Sequence, residues 1–252
     1  SSATVVNQSG LIETVGSGEP RIDFKDNAKG ALLLEPQRTN LITYSEAFDN
    51  AYWTKSGSSV VSGFVSPSGD LSAFKLVESA TTAVHKINTG YTFTSGTSYS
   101  LSVYLKMEEN RYVQLTSGNT VVWGANSIFD LQNGVISSLI SGTSTITALA
   151  DGWYKCTISG TAGISTFTDV SIFGNTDGTT SQETYTGDGT SGVYIYGAQL
   201  EVGSYATSYI PTSGQSGGVT RVGDVCNNGA NSQVINSTEG VLYLEGSALA
   251  DD

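Results

Sequence analysis

Apolar and polar residues alternate with a period of two through most of the chain. In residues 99–107, YSLSVYLKM, every second residue from Tyr99 to Met107 is apolar or aromatic, and mostly polar residues lie between them. Because side chains in a strand point alternately to opposite faces, this pattern predicts a half-buried strand. Similar runs predict strands at 71–77, 111–116, 127–131, 135–140, 144–149, 153–159, 169–173 and 193–196.

Turn dipeptides separate these strands, and helical periodicity is missing. Asn133-Gly134, Asp151-Gly152, Asp177-Gly178 and Asp188-Gly189 are typical tight-turn pairs. No segment longer than about ten residues shows an apolar stripe with the 3.6-residue period of a helix. We therefore predict an all-β protein, an antiparallel β-sandwich of jelly-roll type.

The two ends of the chain differ from its middle. Residues 1–31 read as an irregular arm that contacts a neighbouring molecule, and 212–233 read as a linker. The chain begins at Ser1, so a processed product or a piece of a longer protein is expected. The predicted organisation is an arm and lead-in segment at 1–44, a jelly-roll sandwich at 45–211, and a linker with the first strand of an unfinished module at 212–252.

Charge and composition narrow the classes of partner. Only 13% of residues are charged, the net charge is −12, and the 11 basic residues are scattered. The sequence thus has no basic patch for nucleic acid or for an anionic membrane surface. No apolar run approaches the roughly 18 residues of a membrane-spanning helix. A hydrophobic content of 38% is enough for a packed core.

Several long blocks resemble a family of phage and prophage virion proteins, chiefly tail and fibre components. They are LLLEPQRTNLITYSEAFDNAYWTK at 32–55, GTSYSLSVYLK at 96–106, FDLQNGVI at 129–136, DGWYKCTISGTA at 151–162, GDGTSGVYIYGAQLEVGSYATSYIPTSG at 187–214, and TRVGDV at 220–225. The resemblance implies a jelly-roll sandwich of carbohydrate-binding type without a fixed catalytic motif. NSTEGVLYLEGSAL at 236–249 resembles the start of a concanavalin-like module that often follows it.

This resemblance implies a function on the virion surface. The leading hypothesis is a non-catalytic module that binds glycans for attachment to a host or another surface. The alternative is a purely structural fibre, decoration or adaptor domain whose partners are other virion proteins, with a homo-trimer expected by analogy with fibres. A third hypothesis is a non-catalytic part of a polysaccharide depolymerase.

The residues themselves give little support for catalysis. His85 is the only histidine, so a Ser-His-Asp triad would require it. A G-x-S-x-G match at 214–218 lies in a glycine-rich segment and not between a strand and a helix, as a nucleophile elbow requires. Paired carboxylates for glycoside hydrolysis remain open among 23 acidic residues, although most of these read as turn or strand-end positions.

Aromatic rings on the polar side of the predicted strands are the candidate sugar contacts, because flat rings match the apolar faces of sugars. Trp123 is the best single candidate, with loop packing or a protein contact as alternatives. Trp153 fits a structural anchor as well as a ligand contact. The full predicted set is Trp123, Tyr104, Tyr112, Gln114, Trp153, Tyr194 and Tyr196.

Calcium and a structural thiol complete the candidate chemistry. The loop 175–188 offers oxygen ligands for a structural calcium from Asn175, Asp177, Glu183 and Asp188, and a second set comprises Glu46, Asp49 and Glu201. A solvated acidic loop is the alternative, and no other cofactor is expected. Cys156 lies in a strand pattern and is predicted to be a buried thiol, with a Cys156–Cys226 disulfide as the other possibility.

Overall fold

The computed structural model describes residues 3–117 and 123–225. These residues form twenty β-strands and one 3₁₀ turn, Ala150–Gly152. The strands are β1 (Ala3–Val6), β2 (Ile12–Val15), β3 (Ile22–Asp23), β4 (Ala31–Leu32), β5 (Arg38–Asn40), β6 (Thr54–Ser56), β7 (Ser58–Phe64), β8 (Ala73–Glu78), β9 (Thr82–Ala83), β10 (Lys86–Phe93), β11 (Ser98–Met107), β12 (Tyr112–Ser117), β13 (Asn126–Asp130), β14 (Val135–Ser141), β15 (Thr143–Ala148), β16 (Trp153–Thr161), β17 (Thr166–Asn175), β18 (Tyr185–Thr186), β19 (Gly192–Val202) and β20 (Val219–Arg221).

Two six-stranded antiparallel sheets form the body of the protein. Sheet I has the order β14-β13-β12-β17-β10-β6, and sheet II has the order β15-β16-β11-β19-β8-β7. The chain passes between the sheets so that β8, β19, β11 and β16 lie in sheet II, while β10, β17, β12 and β13 lie in sheet I. If these eight strands are numbered in chain order, their spatial orders are 1-8-3-6 and 2-7-4-5. This is jelly-roll connectivity, so the predicted fold class is confirmed.

The main core lies between the two sheets, as the alternation predicts. Leu101, Val103 and Leu105 of β11 are at most 1% exposed and face Val113 and other apolar residues of sheet I. Full burial of each such side chain contributes about 1.5–3 kcal/mol. Among the described residues, no helix has the length and apolar character needed to cross a membrane.

The N-terminal segment is more ordered than its sequence indicates. Residues of β1 pair with β2, and β3 pairs with β4, so the expectation of an irregular 1–31 is wrong for these strands. Ile12 packs in a second apolar cluster on the outer face of sheet II. Thr4 donates a hydrogen bond to the carbonyl of Tyr209 at 2.6 Å. The N-terminal segment therefore adds a layer to the sandwich.

The segment after the sandwich returns to its beginning. Val219–Arg221 pairs with Arg38–Asn40, so the described part of the predicted linker contains a strand. Asn40 is fully buried, and its amide donates to the carbonyls of Ala198 and Ile210 at 3.2 and 2.9 Å. Much of the distinctive 32–55 block thus joins the two ends of the fold. Cys226 and the predicted strand at 234–249 lie outside the described residues.

Candidate functional site

Three predicted sugar contacts lie on the outer face of sheet II but are covered. Tyr104, Trp153 and Tyr196 are 5%, 1% and 4% exposed and pack with Ile12 and Tyr209 in the second cluster. The Tyr104 and Tyr209 rings meet edge to face at 5.8 Å. Burial, reinforced by the neighbouring Tyr196, raises the pKa of the Tyr104 hydroxyl. The alternation assigned these rings to the correct face, but the expectation that they are open to solvent is wrong.

Trp123 is also buried. Its ring is 0% exposed, stacks on Phe93 with centroids 5.4 Å apart, and its indole nitrogen donates to the Gly160 carbonyl at 2.9 Å. An indole in this environment has no face left for a sugar. The expectation of an accessible Trp123 is therefore corrected, and its contacts are those of a core residue.

Tyr112 and Gln114 project from the outer face of sheet I. Gln114 is 0% exposed, and its amide donates to Asn126 Oδ1 at 2.6 Å and to Ser181 Oγ at 2.8 Å. Its carbonyl oxygen accepts from the Gln182 backbone N–H at 2.7 Å. Gln114 thus holds the loop after β17 against the sheet. It is buried, although it was predicted to be an exposed ligand contact. Tyr112 stays partly exposed, with the Arg111 guanidinium 4.8 Å from its ring centre.

The predicted calcium ligands mostly accept hydrogen bonds from backbone N–H groups of their own turns. Asn175 accepts from the Gly178 N–H at 2.7 Å, and Asp177 accepts from the backbone N–H groups of Thr179 and Thr180. Hydrogen bonds from Thr180 lower the pKa of Asp177 to about 2. Asp188 accepts in the same way from Thr190 and Ser191, and Glu183 accepts from the Thr176 N–H at 2.6 Å.

The second acidic set is engaged as well. Glu46 accepts from the hydroxyls of Tyr196 and Tyr209, while Glu201 is buried and accepts from Thr207. Within the described ranges, no three His, Cys, Asp or Glu side chains lie close enough together to hold a metal ion. The structure therefore does not assemble either predicted calcium site from these carboxylates.

His85, the histidine that a catalytic triad would require, lies just before β10 and is 2% exposed. Its Nδ1 faces the Gly57 carbonyl at 2.5 Å, and its Nε2 faces the Tyr185 carbonyl at 3.0 Å. The G-x-S-x-G match at 214–218 forms a turn, with Gly217 and Gly218 at positive φ. A nucleophile elbow would require a strand, a sharp turn and a helix, and this segment is followed by β20.

Tyr194 is the one predicted contact on sheet II that keeps a partly exposed ring. It packs against Phe64, also partly exposed, with ring centroids 4.8 Å apart at 44°. Neighbouring strands extend this aromatic pair into a cross-strand row. The Tyr194 row, with Phe64 beside it, runs across five strands through directly paired positions Val61, Lys75, Tyr194, Lys106 and Trp153.

The charges along the Tyr194 row differ from those of the chain as a whole. Lys75 and Lys106 flank Tyr194 in a protein of net charge −12. Lys75 Nζ lies 2.6 Å from Glu109 Oε2, and Glu109 also accepts from the Gly192 N–H at 3.0 Å. Partial burial of Glu109 acts to raise its pKa, but the hydrogen bonds, first that of Lys75, outweigh this effect and lower it. Lys106 forms no ion pair within the described part of the chain.

This arrangement suits a sugar ring better than a reaction. The partly exposed faces of Phe64 and Tyr194 match apolar C–H groups, while two lysines and a carboxylate provide hydrogen-bonding groups around them. Phe64 and Lys75 were not among the predicted contacts. Only the pairing of β7, β8 and β19 shows that Lys75 adjoins Tyr194.

Comparison with solved structures gives several similar chains, and a carbohydrate-binding module is among them. The carbohydrate-binding module TmCBM27, solved in a dissection of specific mannan recognition, is similar over 68% of this chain and 97% of its own, with 9% identity and a TM-score of 0.30. No family model and no curated protein matches the chain. A structural likeness at this level does not bear on what the protein binds.

Proposed function

We propose that this chain is a non-catalytic module of a phage or prophage virion protein that binds glycans for attachment. The observation that carries the proposal is the Phe64–Tyr194 ring pair, partly exposed and flanked by Lys75 and Lys106. A pyranose stacks on such rings with its C–H face and offers its hydroxyls to the charged groups at their edge. Release of water from the apolar faces would supply most of the binding free energy.

The virion setting rests on the sequence blocks that resemble phage tail and fibre proteins, above all residues 32–55. It implies a position on the virion surface, with a host or environmental polysaccharide as the partner. A homo-trimer and contacts with other virion proteins belong to the same proposal by analogy with fibres.

The chemistry of the Tyr194 row supports binding without catalysis. A glycosidase needs a general acid whose pKa is raised toward neutrality. Glu109, the carboxylate paired with Lys75, has a pKa shifted downward. The ring nitrogens of His85 both face backbone carbonyls inside the fold.

A structural role is the second candidate, and one surface favours it. Within the described residues, four of the fifteen exposed large apolar side chains lie in the seven-residue strand β14, which is an edge of sheet I: Val135, Ile136, Leu139 and Ile140. Exposed apolar edges are typical places for another chain to pair. Under this alternative, the partner of β14 is another virion protein and the rings of the Tyr194 row bind nothing.

A glycan array, followed by binding to whole host cells, tests the proposal with the wild type beside Tyr194→Ala and Phe64→Ala. We expect binding by the wild type and a loss of about five- to tenfold in affinity for each variant, the size of one stacking contact. Tyr205→Ala is the matched control, since Tyr205 is a partly exposed tyrosine that packs under Arg38 instead. Absence of wild-type binding on both surfaces would refute the proposal. Equal binding by all variants would refute the Phe64–Tyr194 ring pair as the binding site.

A further inference from the structure

Phe167 is an exposed aromatic residue on the outer face of sheet I, the sheet opposite the Tyr194 row. It is 66% exposed, whereas Val170 and Ile172, on the inner side of the same strand, are in the core. Its ring lies over the backbone of Gly90 on the neighbouring strand. A Cβ at Gly90 would fall 1.9 Å from Cζ of Phe167, so only glycine permits this seat.

The position of Phe167 leaves most of its side chain accessible to a ligand. The ring edge rests on Gly90, which removes part of the ring from water and limits its rotamers. The rest of the side chain, two thirds of its surface, is open to solvent. A large apolar side chain fixed in this way and left uncovered is a preformed stacking surface.

Polar groups lie beside this ring in register. Gly90 pairs with Asp169, and the preceding pair on the same face is Asn88 with Ser171. Lys86 Nζ lies 3.7 Å from Asp169 Oδ2, and both side chains remain partly accessible. The ring and this ion pair therefore present an apolar face next to a donor and an acceptor.

Two polar atoms in this group lack a partner. Asn88 Oδ1 and Ser171 Oγ have no hydrogen bond, although Asn88 is 7% and Ser171 1% exposed. A buried polar atom without a hydrogen bond is destabilising, so a group that pairs with it gains binding free energy. They are positioned next to each other across β10 and β17, one pair away from Gly90 and Asp169.

We propose that Phe167, Gly90, Lys86, Asp169, Asn88 and Ser171 form a second sugar-binding site, here called the Phe167 site. The sugar's C–H face stacks on Phe167, Lys86 and Asp169 bind hydroxyls at the rim, and a hydroxyl or a bridging water meets the free oxygens of Asn88 and Ser171. The ligand class rests on the proposed function, but the site lies on the other sheet and stands on its own contacts.

The charges select a neutral sugar. Lys86 and Asp169 neutralise each other, and the chain around them carries a net charge of −12. A polyanionic glycan would be repelled, whereas an uncharged pyranose loses nothing to this field. Because the two sites lie on opposite outer faces, one short oligosaccharide cannot occupy both, and a polysaccharide can be cross-linked by one protein molecule.

Backbone-amide NMR titration of the full chain tests the Phe167 site. The probes are three neutral hexasaccharides, cellohexaose, mannohexaose and maltohexaose, with an alginate hexamer as the anionic comparison. We expect a neutral probe to shift amides of β10 and β17 around Gly90 and Asp169, and the alginate probe to shift none of them. Shifts confined to the Tyr194 row would overturn the Phe167 site and leave the proposed function intact. Shifts confined to β10 and β17 would overturn the Tyr194 row as a binding surface and leave the Phe167 site and glycan binding intact. No shift with any neutral probe would overturn both sites.

Two variants distinguish the contribution of the Phe167 ring from that of its position over Gly90. Phe167→Ala removes the stacking surface, and Gly90→Ala keeps the ring but pushes it off the backbone, at a residue whose backbone conformation tolerates alanine. Both should weaken binding about five- to tenfold. Leu71→Ala, at another apolar residue that is 68% exposed, is the control and should bind as the wild type does. Unchanged affinity in Phe167→Ala, with a native amide spectrum, would refute the stacking role.

Discussion

Glu35 and Arg221 form a buried ion pair between residues 186 positions apart, with both side chains 3% exposed. Arg21 also contacts Glu35, through Nη2 at 2.6 Å, and reaches Asp224 through Nη1. Burial alone would raise the pKa of Glu35, but Arg221, the Ser208 hydroxyl and Arg21 outweigh it and lower the pKa. Through Glu35, the Glu-Pro-Gln-Arg motif at 35–38 thus connects the N-terminal segment to the segment that follows the sandwich.

Loss of this carboxylate should be costly. In Glu35→Gln, two guanidinium groups stay buried without the charge between them, and the free energy of unfolding should fall by about 3–5 kcal/mol. Urea denaturation followed by circular dichroism measures the change. The matched control is Asp26→Asn, which breaks an ion pair with Lys25 whose aspartate is 81% exposed and should cost under about 1 kcal/mol. A loss as small as the control's would show that the pair does not hold the ends together.

The sequence predicted on which face of a sheet a side chain lies, but not which segments cover that face. Alternation in β11 correctly put Leu101 and Val103 inward and Tyr104 outward. It could not reveal that Ile12 and Tyr209 cover Tyr104, because these residues come from distant parts of the chain. Local periodicity indicates on which side of a sheet a residue lies. Which segment covers that side depends on contacts between distant parts of the chain.

The Phe167 site shows a second limit of sequence reasoning. The predicted strand 169–173 began too late, since β17 starts at Thr166. Two further residues of the same alternation put Phe167 on the face of Asp169 and Ser171. The seat on Gly90 depends on the register between β10 and β17, for which a single sequence holds no direct signal.

Asp130 should make the protein sensitive to acid in a narrow window. Arg111 donates two hydrogen bonds to its carboxylate, at 2.8 and 2.6 Å, and lowers the pKa of Asp130 from 3.8 to about 2. A folded-state pKa below the unfolded value means that the folded state binds the proton more weakly. The contribution to stability is therefore complete above about pH 4 and is lost as the pH falls toward about 2.

The measurement is the free energy of unfolding of the wild type and of Asp130→Asn between about pH 2 and pH 6. The difference between the two proteins should shrink as the pH falls through this window. Asp151→Asn is the control, since Asp151 is exposed and asparagine tolerates its positive φ of 56°. Parallel curves for wild type and Asp130→Asn would contradict the linkage.

The Cys156 thiol should not react with thiol reagents in the folded protein. The thiol is 0% exposed between the sheets, and burial raises its pKa well above the ordinary value, so almost no thiolate forms. In a Cys226→Ser variant, a thiol reagent such as DTNB should titrate no cysteine under native conditions and one in guanidinium chloride. Cys156→Ala, which keeps Cys226, shows which signal belongs to which residue. Rapid native reaction of the Cys226→Ser variant would contradict the buried environment.

Trp123 tests whether burial or ligand contact explains a tryptophan in this loop region. Trp123→Ala deletes a fully buried ring stacked on Phe93 and should lower the free energy of unfolding by about 3–5 kcal/mol. Trp123→Phe keeps most of the packing but loses the hydrogen bond to the Gly160 carbonyl, so it should cost about 1–3 kcal/mol. Both values come from urea denaturation.

The phenylalanine variant decides between the two explanations because we expect it to fold. Its affinity for any glycan that the wild type binds should be unchanged, since the Trp123 ring has no exposed face and the proposed sugar contacts are Tyr194, Phe64 and Phe167. Glycan-array binding of Trp123→Phe beside Tyr194→Ala makes the comparison within one experiment. If Trp123→Phe lost binding while keeping near wild-type stability, the ring would have to open toward the ligand, and the core packing of Trp123 on Phe93 would not describe the bound state.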